Sequence, residues 1–152
     1  MKILVTIDFS DITEAVLQQT RKLAEAMDAE VVLMHIADPH PDQVAYDFDP
    51  AATYAIDPAE IRDTIAQKFH QQHQSLQQHA EQLRGQGVNC KALMIQGEVV
   101  STVLEEADKL AADFIIAGSH GKGMISQMLL GSTSRELVVQ SLVPVLLVPA
   151  TE

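Results

Sequence analysis

Asp113-Phe114-Ile115-Ile116-Ala117 is an apolar run that ends in Gly118-Ser119-His120-Gly121, and after nine further residues Gly131-Ser132-Thr133 opens a helical pattern. A strand that stops in glycines, followed by a glycine that starts a helix, is what a main chain needs to lie against an anion. Glycine has no side chain to hold the ligand away. The free N–H groups and the positive dipole end of the helix then face the negative charge. Phe114–Arg135 also contains no Asp or Glu, although the chain carries 21 acids in all. Its charged side chains are Lys122 and Arg135, with the titratable His120 beside them.

Outward from this stretch, strand and helix patterns alternate. Ile3–Ile7 is a compact apolar run that meets Asp8. Ser10 or Asp11 can cap the next helix, with Glu14 completing a capping box, and Val16, Leu17, Leu23, Ala24 and Met27 give its apolar stripe. Glu30–Ile36 reads as a second strand without polar alternation, as expected for parallel strands covered on both faces. Residues 37–57 break the pattern with Pro39, Pro41, Pro50 and five acids, and read as a long acidic loop. A Gln-rich helix is expected from Pro58 to about Arg84, with Ile61, Ile65, Phe69, Leu76, Ala80 and Leu83 on its buried side. His73 is expected near its core boundary, and His70 and His73 lack the further ligands that zinc would want. Val88–Ile95 reads as a strand near a sheet edge, Val99–Leu110 as a third helix, Ser132–Ser141 as a short fourth, and Val143–Val148 as a last strand. Pro144 sits at the start of that strand, which argues for an edge.

The order β-α-β-α-β-α-β-α-β implies a five-stranded, doubly wound parallel α/β sheet with right-handed crossovers and helices on both faces. With strand order 3-2-1-4-5, the winding reverses between the first and fourth strands. Ligands of such sheets bind beyond the carboxyl ends of the strands at that point. Asp8 and Gly118 stand at those two ends, so features far apart in sequence meet at one expected crevice.

Bulk properties narrow the function. The 152 residues lead to the expectation of one domain, 1–152, and 47% apolar residues suit a packed core. A net charge of −11, with no basic run and no Trp, argues against nucleic acid or an anionic membrane surface as partner. No apolar run is long enough for membrane insertion. Cys90 is the only cysteine and reads as a small buried residue, which with the charged N-terminal segment suggests a cytoplasmic protein. The apolar Val145-Leu146-Leu147-Val148 edge is a pairing hazard unless covered, and a homodimer pairing this strand with its copy would cover it.

Familiar phosphate and catalytic motifs are excluded one by one. A Walker loop fails because Gly121-Lys122 is preceded by Ile116 at the first glycine position and followed by Gly123. The dinucleotide glycine pattern is absent after the first strand, where Asp8-Phe9-Ser10-Asp11 stands. No Gly-x-Ser-x-Gly elbow occurs. His120 can orient or neutralise a phosphate, and Lys122 can pair with its oxygens, or both can be solvated loop residues. Ser132 and Thr133 can donate to phosphate or act as ordinary N-caps, and one oxygen cannot fully serve both. Asp8 can bond a ribose hydroxyl, help hold a phosphate-bound metal, or simply close a turn.

Ile3-Leu4-Val5-Thr6-Ile7-Asp8-Phe9-Ser10 together with Gly118-x2-Gly121-x9-Gly131-Ser132 resembles the universal stress protein family, in its ATP-binding branch. The resemblance extends through Leu33-Met34-His35-Ile36 and Val143-Pro144-Val145-Leu146-Leu147-Val148, so it covers essentially the whole chain. It implies a Rossmann-like sheet of the HUP type and a nucleotide site. Gly118, Gly121, Gly131 and Ser132 match the phosphate and ribose signature, with Thr133 adjacent. Asp8 matches an acid on ribose or metal, and Ile36 and Ala117 match positions beside the adenine. The implied ligand is ATP, or ADP or AMP, with Mg2+ or Mn2+ on the phosphates. The implied assembly is a homodimer through Val143–Val148. Ile7 departs from the family's usual proline or valine before the acid. The expected role is regulatory, through nucleotide-dependent contact with an unnamed protein partner. Slow hydrolysis is compatible with this, but no base or arginine finger is evident. Two alternatives stand: a nucleotide-free dimeric scaffold, and a hydrolase or adenylyl-transfer enzyme of the related superfamily. The latter would want Ser-Gly-Gly-x-Asp-Ser where this chain has Asp8-Phe9-Ser10-Asp11.

Overall fold

In the computed structural model of the chain, residues 1–41, 57–120 and 130–149 are described. They form β1 (Lys2–Thr6), α1 (Thr13–Met27), β2 (Glu30–Ala37), α2 (Pro58–Gly85), β3 (Asn89–Gln96), α3 (Val99–Lys109), β4 (Phe114–Gly118), α4 (Ser132–Gln140) and β5 (Val145–Val148). The sheet order is β3-β2-β1-β4-β5, with every pairing parallel. β1 is central. Leu4 faces Val32 on one side and Ile115 on the other. Ile3, Leu4 and Val5 are all fully buried, which is why this strand reads as an unbroken apolar run.

Alternation along the strands divides the core in two. Ile3, Val5, Val31, Leu33 and Ile116 pack with Val16 and Leu17 of α1 and Leu76, Ala80 and Leu83 of α2. Leu4, Val32, Met34, Ile115 and Ala117 pack with Val103 and Ala107 of α3 and Leu137 of α4. The helices that follow β1 and β4 therefore lie on opposite faces, and their paths diverge between these two strands.

Three local expectations change. α1 starts at Thr13 after an N-cap at Ile12 that makes no side-chain cap bond. Ser10 is not the cap: it stands two residues before Ile12, in a turn where its N–H and hydroxyl donate to Asp8 Oδ1, at 3.0 and 2.5 Å. In α2 only Leu76, Ala80 and Leu83 are buried, while Ile61, Ile65 and Phe69 are half-buried. A 28-residue helix spans about 42 Å, whereas the eight-residue β3 spans about 26 Å, so the strand beneath it cannot cover its full length. His73 is exposed, and the histidine at the core boundary is His79. No group of three His, Cys, Asp or Glu side chains that could hold a metal occurs among the described residues. Among them, too, no helix is long and apolar enough to cross a membrane.

Cys90 is buried at the α2 face of β3, and its burial pushes the thiol up to about 11. The unfolded chain ionises first, from about pH 9, so the thiol's contribution to stability is present below that pH and is lost as pH rises through about 11. At pH 8 the folded thiolate is scarcer than in the unfolded chain by about a hundredfold. Iodoacetamide should therefore label native protein at least that much more slowly than urea-unfolded protein. Equal rates would contradict this placement of Cys90.

Candidate functional site

The carboxyl ends of β1 and β4 open into a cavity of about 420 Å³, within the ordinary range of small-molecule sites. On the β1 side the chain continues through Ile7, whose N–H bonds Met34 O at 3.0 Å. The Ile7 carbonyl lies 2.8 Å from Nδ1 of the buried His35 on β2. Phe9 then takes a left-handed φ of 59° and places its ring 4.3 Å from the His35 ring, with His79 of α2 at 6.1 Å. These contacts hold the segment from which Asp8 projects, and Asp8 itself closes the turn onto Ser10.

On the β4 side, Gly118 is required by close approach rather than by backbone angle, whereas a Cβ at Gly131 would make ordinary contacts. A Cβ on Gly118 would stand 2.9 Å from Ile12 Cγ2. A Cβ on Gly131 would stand 3.4 Å from the His120 Cα and 3.5 Å from Ser119 O. The loop ends are tied together there. Ser119 N–H donates to Val148 O, Gly131 N–H to Ser119 O, and the Ser134 hydroxyl to Gly118 O, all at 2.8–2.9 Å. His120 is nearly buried, with Nδ1 3.2 Å from Ser119 Oγ.

Three helices begin on the walls of this cavity: α1 at Thr13, α3 at Val99 and Val100, and α4 at Ser132 and Thr133. None of the three has a side-chain cap, their N-cap residues being Ile12, Glu98 and Gly131. α2, which starts away from these walls, is capped by Asp57 Oδ1 on the Ala59 N–H. Uncapped helix starts leave N–H groups and partial positive charge pointing at the space they line. Among the described residues the walls carry one carboxylate, Asp8, and no Lys or Arg.

Asp8, Ala117, Gly118, His120, Gly131, Ser132 and Thr133 are thus brought together as expected. Ser132 and Thr133 occupy the first helical positions after Gly131, so neither is the N-cap, and both are exposed. Ile36 is not on the walls. It packs against the second core cluster, on the same face as the cavity-lining Ala117, without reaching the lining itself. Gly121 and Lys122 lie outside the described residues. Sequence reasoning missed Ile12, Thr13, Val99 and Val100. Their signal was topological, since α1 and α3 both start from the sheet edge where parallel strands end.

Such a switch-point cavity in a parallel sheet of order 3-2-1-4-5 marks a doubly wound α/β protein of the Rossmann-like kind. The universal stress protein family model matches residues 1–149, and the chain belongs to that family. It is 26% identical over 151 residues to universal stress protein MJ0577 of Methanocaldococcus jannaschii, covering 97% of this chain and 93% of that one. The solved MJ0577 structure superposes with a TM-score of 0.79 at 24% identity, over 97% and 94% of the two chains. A universal stress protein in complex with cAMP superposes at 0.65 with 19% identity, covering 99% and 98%. The Archaeoglobus fulgidus universal stress protein in complex with dAMP superposes at 0.63 with 19% identity, covering 97% of each chain.

The contact between Gly118 and Ile12 is open to a direct check. Gly118→Ala should destabilise the fold by about 1–3 kcal/mol through overpacking, read as a lowered urea midpoint. Ile12→Ala removes both side-chain atoms that the new methyl would meet. The double variant should therefore be more stable than the sum of the single losses predicts. Simple additivity would show that the two residues do not meet.

Proposed function

We propose that this chain binds an adenine nucleotide in the switch-point cavity and acts as a nucleotide-responsive regulatory protein. The convergence of three uncapped helix starts on one glycine-walled cavity carries this reading. An anion placed there meets main-chain donors without an intervening side chain. In this reading the backbone of Gly118–Gly121 and Gly131, with Ser132, Thr133, His120 and Lys122, takes the phosphates. Asp8 takes a ribose hydroxyl, and Ala117 borders the base. The cAMP and dAMP complexes of relatives of this fold support a nucleotide as ligand.

ATP is the proposed resident, with ADP and AMP as lesser alternatives. Mg2+ or Mn2+ would be held chiefly by phosphate oxygens and water, because the described walls offer one carboxylate. Its chemistry there would be charge neutralisation, which matters in a chain of net charge −11. The lone, reduced Cys90 favours a cytoplasmic location.

Thermal unfolding with and without Mg-ATP tests the binding. Ligand at 100 times its dissociation constant should add about 2.7 kcal/mol of stability. An unmoved midpoint at millimolar ATP would falsify the nucleotide reading. Gly131→Val, which fills the approach beside His120, should abolish the shift while keeping the fold. Mass spectrometry of whatever nucleotide co-purifies would distinguish ATP from ADP and AMP. Turnover of several ATP per minute would favour the enzymatic alternative.

We further propose a homodimer through the β5 edge, Val143–Val148. Leu142 is 99% exposed, Val139 78% and Leu146 40%, an apolar group too large to leave in water without cost. Leu146→Lys should shift sedimentation to the monomer while preserving the circular dichroism of the fold. An unchanged sedimentation coefficient would place the interface elsewhere.

A further inference from the structure

Among the described residues, three other than glycine have a positive φ: Phe9, Asp28 and Ala111. Asp28 is the C-cap of α1, and Ala111 follows the C-cap of α3. Left-handed residues are ordinary at such helix ends. Phe9 ends no helix. It lies in the turn from β1 to α1, one residue after Asp8, with φ at 59°. A bulky aromatic residue is strained in that region and persists there only when its surroundings over-determine it.

Those surroundings centre on His35 of β2, which is 5% exposed. Its ring centroid lies 4.3 Å from that of Phe9, with the planes tilted by 40°. His79 of α2 adds a second ring at 6.1 Å, 20° from parallel to that of Phe9. Nδ1 of His35 lies 2.8 Å from the Ile7 carbonyl oxygen, which can only accept, so Nδ1 carries the hydrogen. One imidazole thus grips the chain on both sides of Asp8. It holds the residue before through a carbonyl and the residue after through a ring.

The Asp8 carboxylate closes its turn across Phe9. Oδ1 accepts both the N–H and the hydroxyl of Ser10, so these bonds span the left-handed residue. Were Phe9 to relax to a right-handed conformation, the turn and the carboxylate would move together. Asp8 lines the cavity, whereas Phe9 and His35 do not. The place of the carboxylate on the wall is therefore set by two rings outside the lining. We infer that Phe9 and His35 are positioning residues for Asp8, holding its carboxylate where it meets a ribose hydroxyl of the bound nucleotide. This role rests on the ribose contact of Asp8 put forward under the proposed function. Its consequence is selective. Loosening either ring weakens ligands that offer Asp8 a hydroxyl and spares ligands that do not.

The test is titration calorimetry of the full chain and its Phe9→Leu, Phe9→Tyr and Asp8→Ala variants, with the Phe9→Leu, Asp8→Ala double variant. The ligands are ATP, dideoxy-ATP, which lacks both ribose hydroxyls, and inorganic pyrophosphate. The parent should bind ATP about tenfold more tightly than dideoxy-ATP, the difference expected for one hydrogen bond to a charged group. Phe9→Leu should lose that preference. Its ATP affinity should fall about tenfold, while dideoxy-ATP and pyrophosphate stay within about twofold of the parent. Phe9→Tyr, which keeps the ring, should retain the preference. In the Asp8→Ala background, Phe9→Leu should cost no further ATP affinity, because the two residues act as a unit. Should Phe9→Leu fail to fold, His35→Asn carries the same comparison, since an amide can donate to the Ile7 carbonyl but brings no ring. Equal weakening of all three ligands by Phe9→Leu overturns the inference and leaves the rings a structural role only. ATP affinity untouched by Phe9→Leu overturns it too, as does a full loss that persists in the Asp8→Ala background. In these outcomes a parent that still prefers ATP to dideoxy-ATP keeps the ribose contact standing. A parent without that preference sinks the ribose contact and the inference with it. A parent that binds none of the three ligands sinks the nucleotide reading as well.

Discussion

The site depends on one close approach, that of Ile12 to Gly118. The end of β4 has room for a hydrogen and nothing larger against the Ile12 side chain. That contact seats the start of α1 directly on the strand that leads into the glycine loop. Through it the Asp8 turn, the start of α1 and His120 line one cavity. Gly118 is thus fully accounted for by packing. A glycine that looks like a ligand residue can be fixed by the protein's own side chains, and its chemistry toward a ligand then follows from what the packing leaves uncovered. Gly131 differs, because its nearest neighbours are backbone atoms of the loop it closes.

Much of this was legible from the chain. The double-sided burial of β1 made Ile3–Val5 an uninterrupted apolar run, and that pattern occurs in parallel sheets covered on both faces. The switch point followed from strand order alone, and with it the meeting of Asp8 and Gly118. The start of α1 was not legible, because capping rules count residue types and do not fix where the preceding turn ends. Ser10 belongs to the Asp8 turn, and the helix begins only at Thr13. The buried side of α2 was overestimated for a geometric reason. Helical periodicity marks which side faces inward, but it does not tell where the supporting strand ends. Ile36 was assigned to the site by resemblance; it packs against the α3–α4 core cluster and is not among the residues that line the cavity.

Electrostatics explain how an acidic chain could present the proposed site for anions. Charges separated by more than a Debye length, about 8 Å at physiological salt, are largely screened at a surface. What a ligand feels is then set by the nearest groups. Within the described walls these are helix starts, glycine backbone and one carboxylate already engaged by two donors. The positive potential therefore comes from main-chain dipoles, with no described lysine or arginine contributing. Such a site binds without long, mobile side chains to order, and it orients the ligand by backbone position.

The two sheet edges show the same economy at larger scale. β3 carries polar and charged outer positions, with Lys91 paired to Glu30 of the neighbouring strand at 2.6 Å. Charge on an edge discourages a further strand from pairing. β5 has no charged residue at all, and the exposed Leu142 and Leu146 lie at and beside it. Pro144, whose carbonyl accepts the Ile115 N–H, cannot donate outward, so it limits any added pairing to the residues that follow. Of the two ends of one sheet, one is defended and the other is left open with its register bounded by a proline. That asymmetry is what a sheet built to pair at one edge only would require. β5 lies next to β4, the strand whose carboxyl end opens the cavity, and the Ser119 N–H bonds Val148 O directly. A change at the glycine loop therefore has a one-bond path to the end of the strand on which a second copy would pair.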